Sequence, residues 1–317
     1  MKFPAFATLL ALLIFGTSQN SFAEFTVTVT QTGSGVEFNG TGSIDLTDLS
    51  TIGGIPAYGG GVDAENAAFA VGPTGAPSPT AYQFYGSVSG PSTFAVESPA
   101  GGFTTATTGS GDFIGLSGPN VLIIPNGYAS KTVFSNTVFF NGLTLGNLDL
   151  TPGTFTWTWG SGENADSMSI VVLTPYQPDN RVGKKAARQV GDNVYNLSGR
   201  GQKINLNSQR NRLQSFHFTT ENDGTNPDVI KSRASKGNRF LKISYTQTGK
   251  GNVTGAITSG RLSLALAPRE SAKFKGKIKP SVKPGKKKRG NLKVTSTSQN
   301  SPSRADRIRI LSTAKGK

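Results

Sequence analysis

The 317-residue chain contains no cysteine and a single histidine, His217. No disulfide bond can stabilise its fold, and metal or redox sites built from cysteine and histidine ligands are excluded or nearly so. A catalytic triad would have to use His217 as its base. However, Phe216 and Phe218 on either side predict a strand that directs His217 to solvent. The sequence therefore predicts no cofactor and no metal site.

Helical periodicity and charge are also scarce. Charged residues make up 16% of the chain, against a typical value of about 25%, whereas glycine is abundant at 40 residues. In the first half only residues 63–70 have a pattern compatible with a helix. Short apolar runs separated by glycine-rich turns predict an all-β protein, with a Gly-rich antiparallel β domain followed by an antiparallel β-sandwich.

Residues 1–23 have the pattern of a secretory signal peptide. Lys2 supplies the positive start, residues 5–15 are apolar, and Ser21 and Ala23 form a small-x-small cleavage site. No later apolar run is long enough to span a bilayer as a helix. We expect a secreted bacterial chain that begins at Glu24 and lies in the periplasm, at the cell surface or outside the cell. A retained N-terminal anchor is the alternative.

The charge of the chain changes sign near residues 174–179. Residues 24–175 contain eleven carboxylates and one cation, about −10, whereas residues 176–317 contain 31 cations and seven carboxylates, about +24. Pro175 and Pro178 interrupt any continuing strand. We predict an acidic domain over residues 24–175, a linker over 176–180 and a basic domain over 181–317.

The acidic domain begins with a predicted hairpin, because residues 25–30 alternate strictly and residues 36–38 begin a partner strand. Phe155, Trp157 and Trp159 share one face of a later strand. This row is either a platform for sugar rings or the core face of the strand, and Trp159 is the ring expected to be partly exposed.

Five segments of this domain carry a resemblance to known proteins: residues 40–46, 52–55, 135–142, 153–160 and 161–168. They resemble the extracellular part of bacterial PEP-CTERM proteins. The resemblance implies export and sorting to the envelope, often alongside exopolysaccharide genes. The chain has no Pro-Glu-Pro motif, transmembrane helix or arginine cluster after the domain.

The basic domain contains eight predicted strands at short intervals, which is typical of an antiparallel sandwich. These strands are residues 203–206, 213–219, 240–247, 253–257, 262–266, 271–279, 291–297 and 306–311. Five segments carry a further resemblance: residues 178–183, 191–196, 220–228, 266–274 and 294–308. They resemble immunoglobulin-like modules of the NEW3/CARDB kind, which occur in bacterial surface and secreted proteins, and the resemblance implies an immunoglobulin-like β-sandwich.

Two groups of cations are candidate polyanion-binding residues. They are Lys273, Lys275, Lys277 and Lys279 along one strand, and Lys286, Lys287, Lys288 and Arg289 in a Pro-Gly loop. Such density would attract acidic polysaccharide or another acidic surface. The alternative is a solvated face that protects a sheet edge from aggregation. Nucleic acid is not favoured, because no run of aromatic residues is interleaved with the cations.

Paired carboxylates are the remaining candidates for chemistry. Two pairs could serve as the two carboxylates of a glycosidase: Asp45 with Asp48, and Glu163 with Asp166. Both pairs lie next to predicted turns, and their presence is equally explained by the preference of turns for such residues. Residues 223–228 fall short of a calcium loop.

The sequence favours a non-enzymatic protein of the cell envelope or extracellular matrix. Its role would be binding or scaffolding, directed at acidic polysaccharide or another envelope protein. A glycan hydrolase and a passive spacer are the alternatives. The opposite charges of the two domains also suggest self-association.

Overall fold

The computed structural model describes residues 23–52, 59–75, 82–95, 102–209, 212–283 and 286–316. These residues form two β-sandwiches, which confirms the all-β prediction. Strand pairs are antiparallel except for one pair in each sandwich. Apart from Ala23, the predicted signal peptide lies outside the described residues.

The first sandwich comprises thirteen strands. Sheet A has the order β12-β13-β1-β2-β11-β8, and sheet B has the order β3-β6-β10-β9-β5-β4-β7. The strands are β1 Glu24–Gln31, β2 Gly35–Ser43, β3 Ser50–Ile52, β4 Gly61–Asp63, β5 Ala68–Val71, β6 Tyr82–Gly86, β7 Thr104–Thr105, β8 Thr108–Gly111, β9 Ile114–Leu116, β10 Leu122–Pro125, β11 Val133–Asn141, β12 Gly153–Trp159 and β13 Asp166–Val172.

The predicted opening hairpin is present as β1 and β2. Phe25, Val27 and Val29 are fully buried, and the threonines between them face away from the core. The last strand, β13, returns to pair with β1 in parallel. This pairing places the end of the first sandwich beside its beginning.

The aromatic row of β12 belongs to the core rather than to a sugar platform. Trp157 is fully buried and Trp159 is 4% exposed, whereas Phe155 is the partly exposed ring. The expectation for Trp159 was wrong because its indole Nε1 donates to the Asp45 carbonyl at 2.9 Å. A buried indole N–H needs such an acceptor.

Residues 63–70 form no helix, contrary to the sequence expectation. They run from the end of β4 through a turn into β5, and Val62 is paired with Phe69. Ala67 adopts a left-handed φ of 50° in that turn, which ends any helical path. Pairing with β9 on the other side of β5 outweighs the local helical pattern.

The second sandwich comprises eleven strands and one helix. Sheet C has the order β15-β14-β17-β22-β19-β20, and sheet D has the order β16-β24-β23-β18-β21. The elements are β14 Pro178–Lys185, β15 Arg188–Val190, β16 Lys203–Gln209, β17 Gln214–Asn222, β18 Asp228–Ala234, β19 Leu241–Gln247, β20 Gly251–Asn252, α1 Thr254–Ser259, β21 Leu262–Leu266, β22 Ser271–Pro280, β23 Lys287–Ser298 and β24 Ala305–Lys315.

This sandwich is immunoglobulin-like, with one apolar core between its two sheets. Its first strand, β14, begins at Pro178 and therefore inside the segment predicted as linker. The strand predicted over residues 253–257 is wrong, because helix α1 occupies this position. Gly260 ends the helix with a φ of 76° and donates to the carbonyls of Ala256 and Ile257.

Candidate anion-binding surface

The four predicted lysines of β22 form a row on the outer face of sheet C. They alternate with the buried residues Ala272, Phe274, Gly276 and Ile278, so their side chains all leave the sheet on its solvent side. Neighbours on this face are about 6.6–7 Å apart along the strand. In the described part of the chain, no carboxylate lies within ion-pair distance of Lys273, Lys275, Lys277 or Lys279. We call these four residues the lysine row.

The second predicted group, Lys286–Arg289, lies where β22 ends. Lys287 begins β23, so most of the group is strand rather than loop, and residues 284 and 285 lie outside the described residues. The Lys288 ammonium is 4.8 Å from the centre of the Phe240 ring. The amide of Ser281, just after β22, donates to the Phe240 carbonyl. The structure thus brings this group to the Lys279 end of the row and leaves Lys273 at the other end.

A groove of about 590 Å³ runs beside the lysine row. Lys273, Lys275, His217, Thr219 and Thr246 line it, with side chains from the β14–β15 turn. His217 faces outward, as the sequence predicts, and is paired with Lys275 across the two strands. Partial burial and the Lys275 charge lower the pKa of the imidazole. The groove therefore presents two ammonium groups, a neutral imidazole and hydroxyls, which suits an anionic ligand with hydroxyl groups.

The carboxylates of this sandwich lie at one end, which is the Lys273 end of the lysine row. This end is where four strands begin, namely β14, β18, β22 and β24, and where three strands end, namely β17, β21 and β23. The seven carboxylates are Asp179, Asp192, Glu221, Asp223, Asp228, Glu270 and Asp306. Lys273 lies nearest these carboxylates, because it shares one cleft with Asp192 and another with Glu270. Attraction to a polyanion is therefore least opposed at the Lys279 end of the row and near Phe240.

Most of these carboxylates have structural partners. Arg181 forms ion pairs with Asp192 and Glu221. Asp306 accepts from the backbone amides of Asn180 and Asn196 at 2.8 and 3.0 Å. Asp179 is different, because it is fully buried and neither carboxylate oxygen has a hydrogen-bond partner among the described residues. Burial, followed by the charges of Asp223 and Asp306, raises the pKa of Asp179 to about 8.

Neither carboxylate pair considered from the sequence forms a catalytic pair. Glu163 is exposed on a short 3₁₀ turn, whereas Asp166 is buried and accepts from the amides of Asp45 and Ser167. Burial raises the pKa of Asp166 to about 6. Burial opposes ionisation of Asp45, but its hydrogen bonds to Thr47, together with those to Lys131 and Ser130, outweigh that effect and hold its pKa at about 2.

Asp45 and Asp166 therefore fasten the turn after β2 to the start of β13. Asp45 is 2% exposed and Asp166 is 4% exposed, so a glycan could not reach either carboxylate. Asp48 is exposed and accepts from the amide of Ser161 at 3.3 Å. These roles are structural.

The segment 223–228 does not gather its oxygens around one point. Asp223 accepts from Tyr195 at 2.9 Å, whereas Asp228 accepts from Asn300 at 3.1 Å. Within the described ranges, no group of three histidine or carboxylate side chains is placed to hold a metal ion.

No family model and no curated protein matches this chain. Solved structures with a similar fold include a point mutant of the CfaE adhesin of enterotoxigenic E. coli (14% identity, covering 92% of this chain and 97% of that one, TM-score 0.29). The CupB6 tip adhesin of Pseudomonas aeruginosa also matches (8% identity, 89% and 93% coverage, TM-score 0.26).

A family 123 glycoside hydrolase from Clostridium perfringens matches over 44% of this chain at 11% identity and a TM-score of 0.29. This chain covers 28% of that hydrolase. These TM-scores are too low to support an inference about function. No helix of the described residues is long and apolar enough to cross a membrane.

Proposed function

We propose that this protein is an exported, non-enzymatic component of the cell envelope or extracellular matrix that binds anionic polysaccharide through its second sandwich. The observation that carries the proposal is the separation of charge within that sandwich. The lysine row and Lys286–Arg289 form no ion pair with a carboxylate in the described chain, and the seven carboxylates gather at the Lys273 end of the row, away from Lys279 and Lys286–Arg289.

Two further features support an exported binding protein. Residues 1–23 have the pattern of a secretory signal peptide, and both domains resemble modules of bacterial surface proteins, PEP-CTERM in the first and NEW3/CARDB in the second. The buried, fully hydrogen-bonded state of Asp45 and Asp166 weighs against a glycan hydrolase that uses them.

The proposal is tested by neutralising the lysine row in the mature chain. The variant Lys273→Gln/Lys275→Gln/Lys277→Gln/Lys279→Gln is compared with a control that removes the same charge from scattered exposed sites. The control is Lys184→Gln/Lys185→Gln/Lys236→Gln/Lys250→Gln. Binding to dextran sulfate and to polygalacturonate is measured by biolayer interferometry at 0.1 M NaCl.

We expect the row variant to bind at least about tenfold more weakly, because each exposed cation contributes on the order of 0.5–1 kcal/mol. The control should lose much less. Equal losses in both variants would show that net charge alone drives retention and would refute a site at the row. No binding by the unmodified chain would favour a passive spacer.

The single histidine provides a second readout of the same site. A sulfate or carboxylate beside Lys275 would stabilise the imidazolium form of His217. We therefore expect its pKa, measured by NMR, to rise when dextran sulfate is added. An unchanged titration with bound polymer would place the polymer elsewhere.

A further inference from the structure

The outer face of sheet D, on the opposite side of the sandwich from the lysine row, is also densely cationic. Lys203 of β16 is paired with Arg309 of β24, which is paired in turn with Lys293 of β23. The next row along the strands contains Arg307, Thr295 and Arg233. We call the five cations Lys203, Arg233, Lys293, Arg307 and Arg309 the arginine face.

Strand pairing places these cations close together. Adjacent strands are about 4.8 Å apart, and adjacent rows about 6.6–7 Å, so five positive charges occupy an area of two rows by four strands. Placing like charges directly opposite one another in a sheet is destabilising. The arrangement Lys203–Arg309–Lys293 thus has a cost in stability that a bound anion would offset.

Two of the three arginines, Arg307 and Arg309, are positioned by neutral groups. Arg307 donates from Nε to the Thr295 hydroxyl and from one terminal nitrogen to the Leu197 carbonyl, both at 2.9 Å. Arg309 donates to the Asn291 side chain at 3.3 Å. None of these partners neutralises the positive charge, and holding a guanidinium in place lowers the entropy lost when it binds an anion.

Carboxylates do not project from this face. Asp228 and Asp306 are the carboxylates of the sheet D strands in the described residues, and both are buried in the inward direction. No ion pair involves any member of the arginine face in the part of the chain that the structure describes.

We propose that the arginine face is a second binding site for sulfated or carboxylated polysaccharide, so that one sandwich holds two polymer chains on opposite faces. This inference rests on the proposed function for the class of ligand. Its consequence is different: the protein would cross-link anionic polymer rather than only adhere to it.

The chemistry of the face favours a polysaccharide over a nucleic acid. Planar guanidinium groups match sulfate and carboxylate, each able to accept two parallel hydrogen bonds. Beside the cations lie amides and hydroxyls able to bond sugar hydroxyls, namely Asn205, Asn207, Asn291, Thr295 and Thr313. No aromatic side chain for base stacking projects from this face among the described residues.

The test separates binding from cross-linking. The variant Lys203→Gln/Lys293→Gln/Arg309→Gln is compared with the lysine-row variant and with a control, Lys184→Gln/Lys236→Gln/Lys250→Gln. Calorimetry with a short sulfated octasaccharide gives the number of sites on the mature chain. Light scattering with long dextran sulfate reports bridging of polymers. Circular dichroism melting curves exclude unfolding as the cause of any loss.

We expect two octasaccharide sites in the unmodified chain and one in each face variant, with bridging lost in both and kept in the control. Arg307→Lys/Arg309→Lys should weaken binding at the arginine face despite unchanged charge. A single site that disappears only in the lysine-row variant would overturn the inference and leave the proposed function intact. A single site that disappears only in the arginine-face variant would contradict both the lysine-row site and cross-linking, and would leave sheet D as the one binding face. Displacement of the octasaccharide by duplex DNA at equal charge concentration would contradict the polysaccharide assignment.

Discussion

Asp179 is the residue at which the stability of the second sandwich depends most clearly on pH. Its carboxylate is fully buried without a hydrogen-bond partner in the described chain, and its pKa is raised to about 8. The folded protein therefore holds a proton here that the unfolded chain releases near pH 4. Stability from this group is complete below pH 4 and is lost as the pH rises through 8.

We predict that the free energy of unfolding of the second sandwich falls between pH 5 and pH 8, by at most about 1.4 kcal/mol per pH unit from this one proton. The substitution Asp179→Asn should flatten this dependence. Urea unfolding can be followed through the His217 resonances, while the fluorescence of Trp157 and Trp159 reports the first sandwich separately. A slope that persists in the variant would refute this role of Asp179.

At the scale of single residues, the direction of a side chain can be predicted from the sequence when the adjacent residues determine it. The outward direction of His217 follows from Phe216 and Phe218, and the structure agrees. The raised pKa of Asp179 could not be predicted, because it depends on burial and on the charges of Asp223 and Asp306 from separate segments. The burial of Trp159 likewise depends on a distant acceptor, the Asp45 carbonyl.

At the scale of elements, helix α1 offers a direct test of why residues 253–257 are not a strand. The helix ends at Gly260, whose left-handed φ of 76° would strain any other residue. We predict that Gly260→Ala destabilises the second sandwich by about 1 kcal/mol in urea unfolding. The control is Gly255→Ala, inside the same helix, where a Cβ would meet nothing within 4 Å. Equal stability of Gly260→Ala and the unmodified chain would contradict this account.

Strand existence was more predictable than strand pairing. Alternation identified β1, β12, β21 and β22 because one face of each is buried. The pairing of Lys203 with Arg309 is parallel and joins strands about a hundred residues apart, so no local pattern could reveal it. The arginine face was missed for that reason, although the alternation of Arg307–Ile310 was visible in the sequence.

At the scale of the whole molecule, the feature on which the proposed function depends is the distribution of charge. The division between an acidic first half and a basic second half can be read from the sequence. The placement of seven carboxylates at one end of the second sandwich cannot, because it requires the strand directions and the register of both sheets. This placement concentrates positive charge away from the carboxylate end, at Lys279, at Lys286–Arg289 and on the arginine face.

The most direct measurement of the central claim is the salt dependence of binding by the intact mature chain. The dissociation constant for dextran sulfate would be measured from 0.1 to 1 M NaCl, over which the Debye length falls from about 10 Å to about 3 Å. We predict that affinity falls by at least about tenfold across this range. Binding that is absent at 0.1 M NaCl, or equally strong at 1 M NaCl, would contradict an electrostatic polyanion-binding role for the second sandwich.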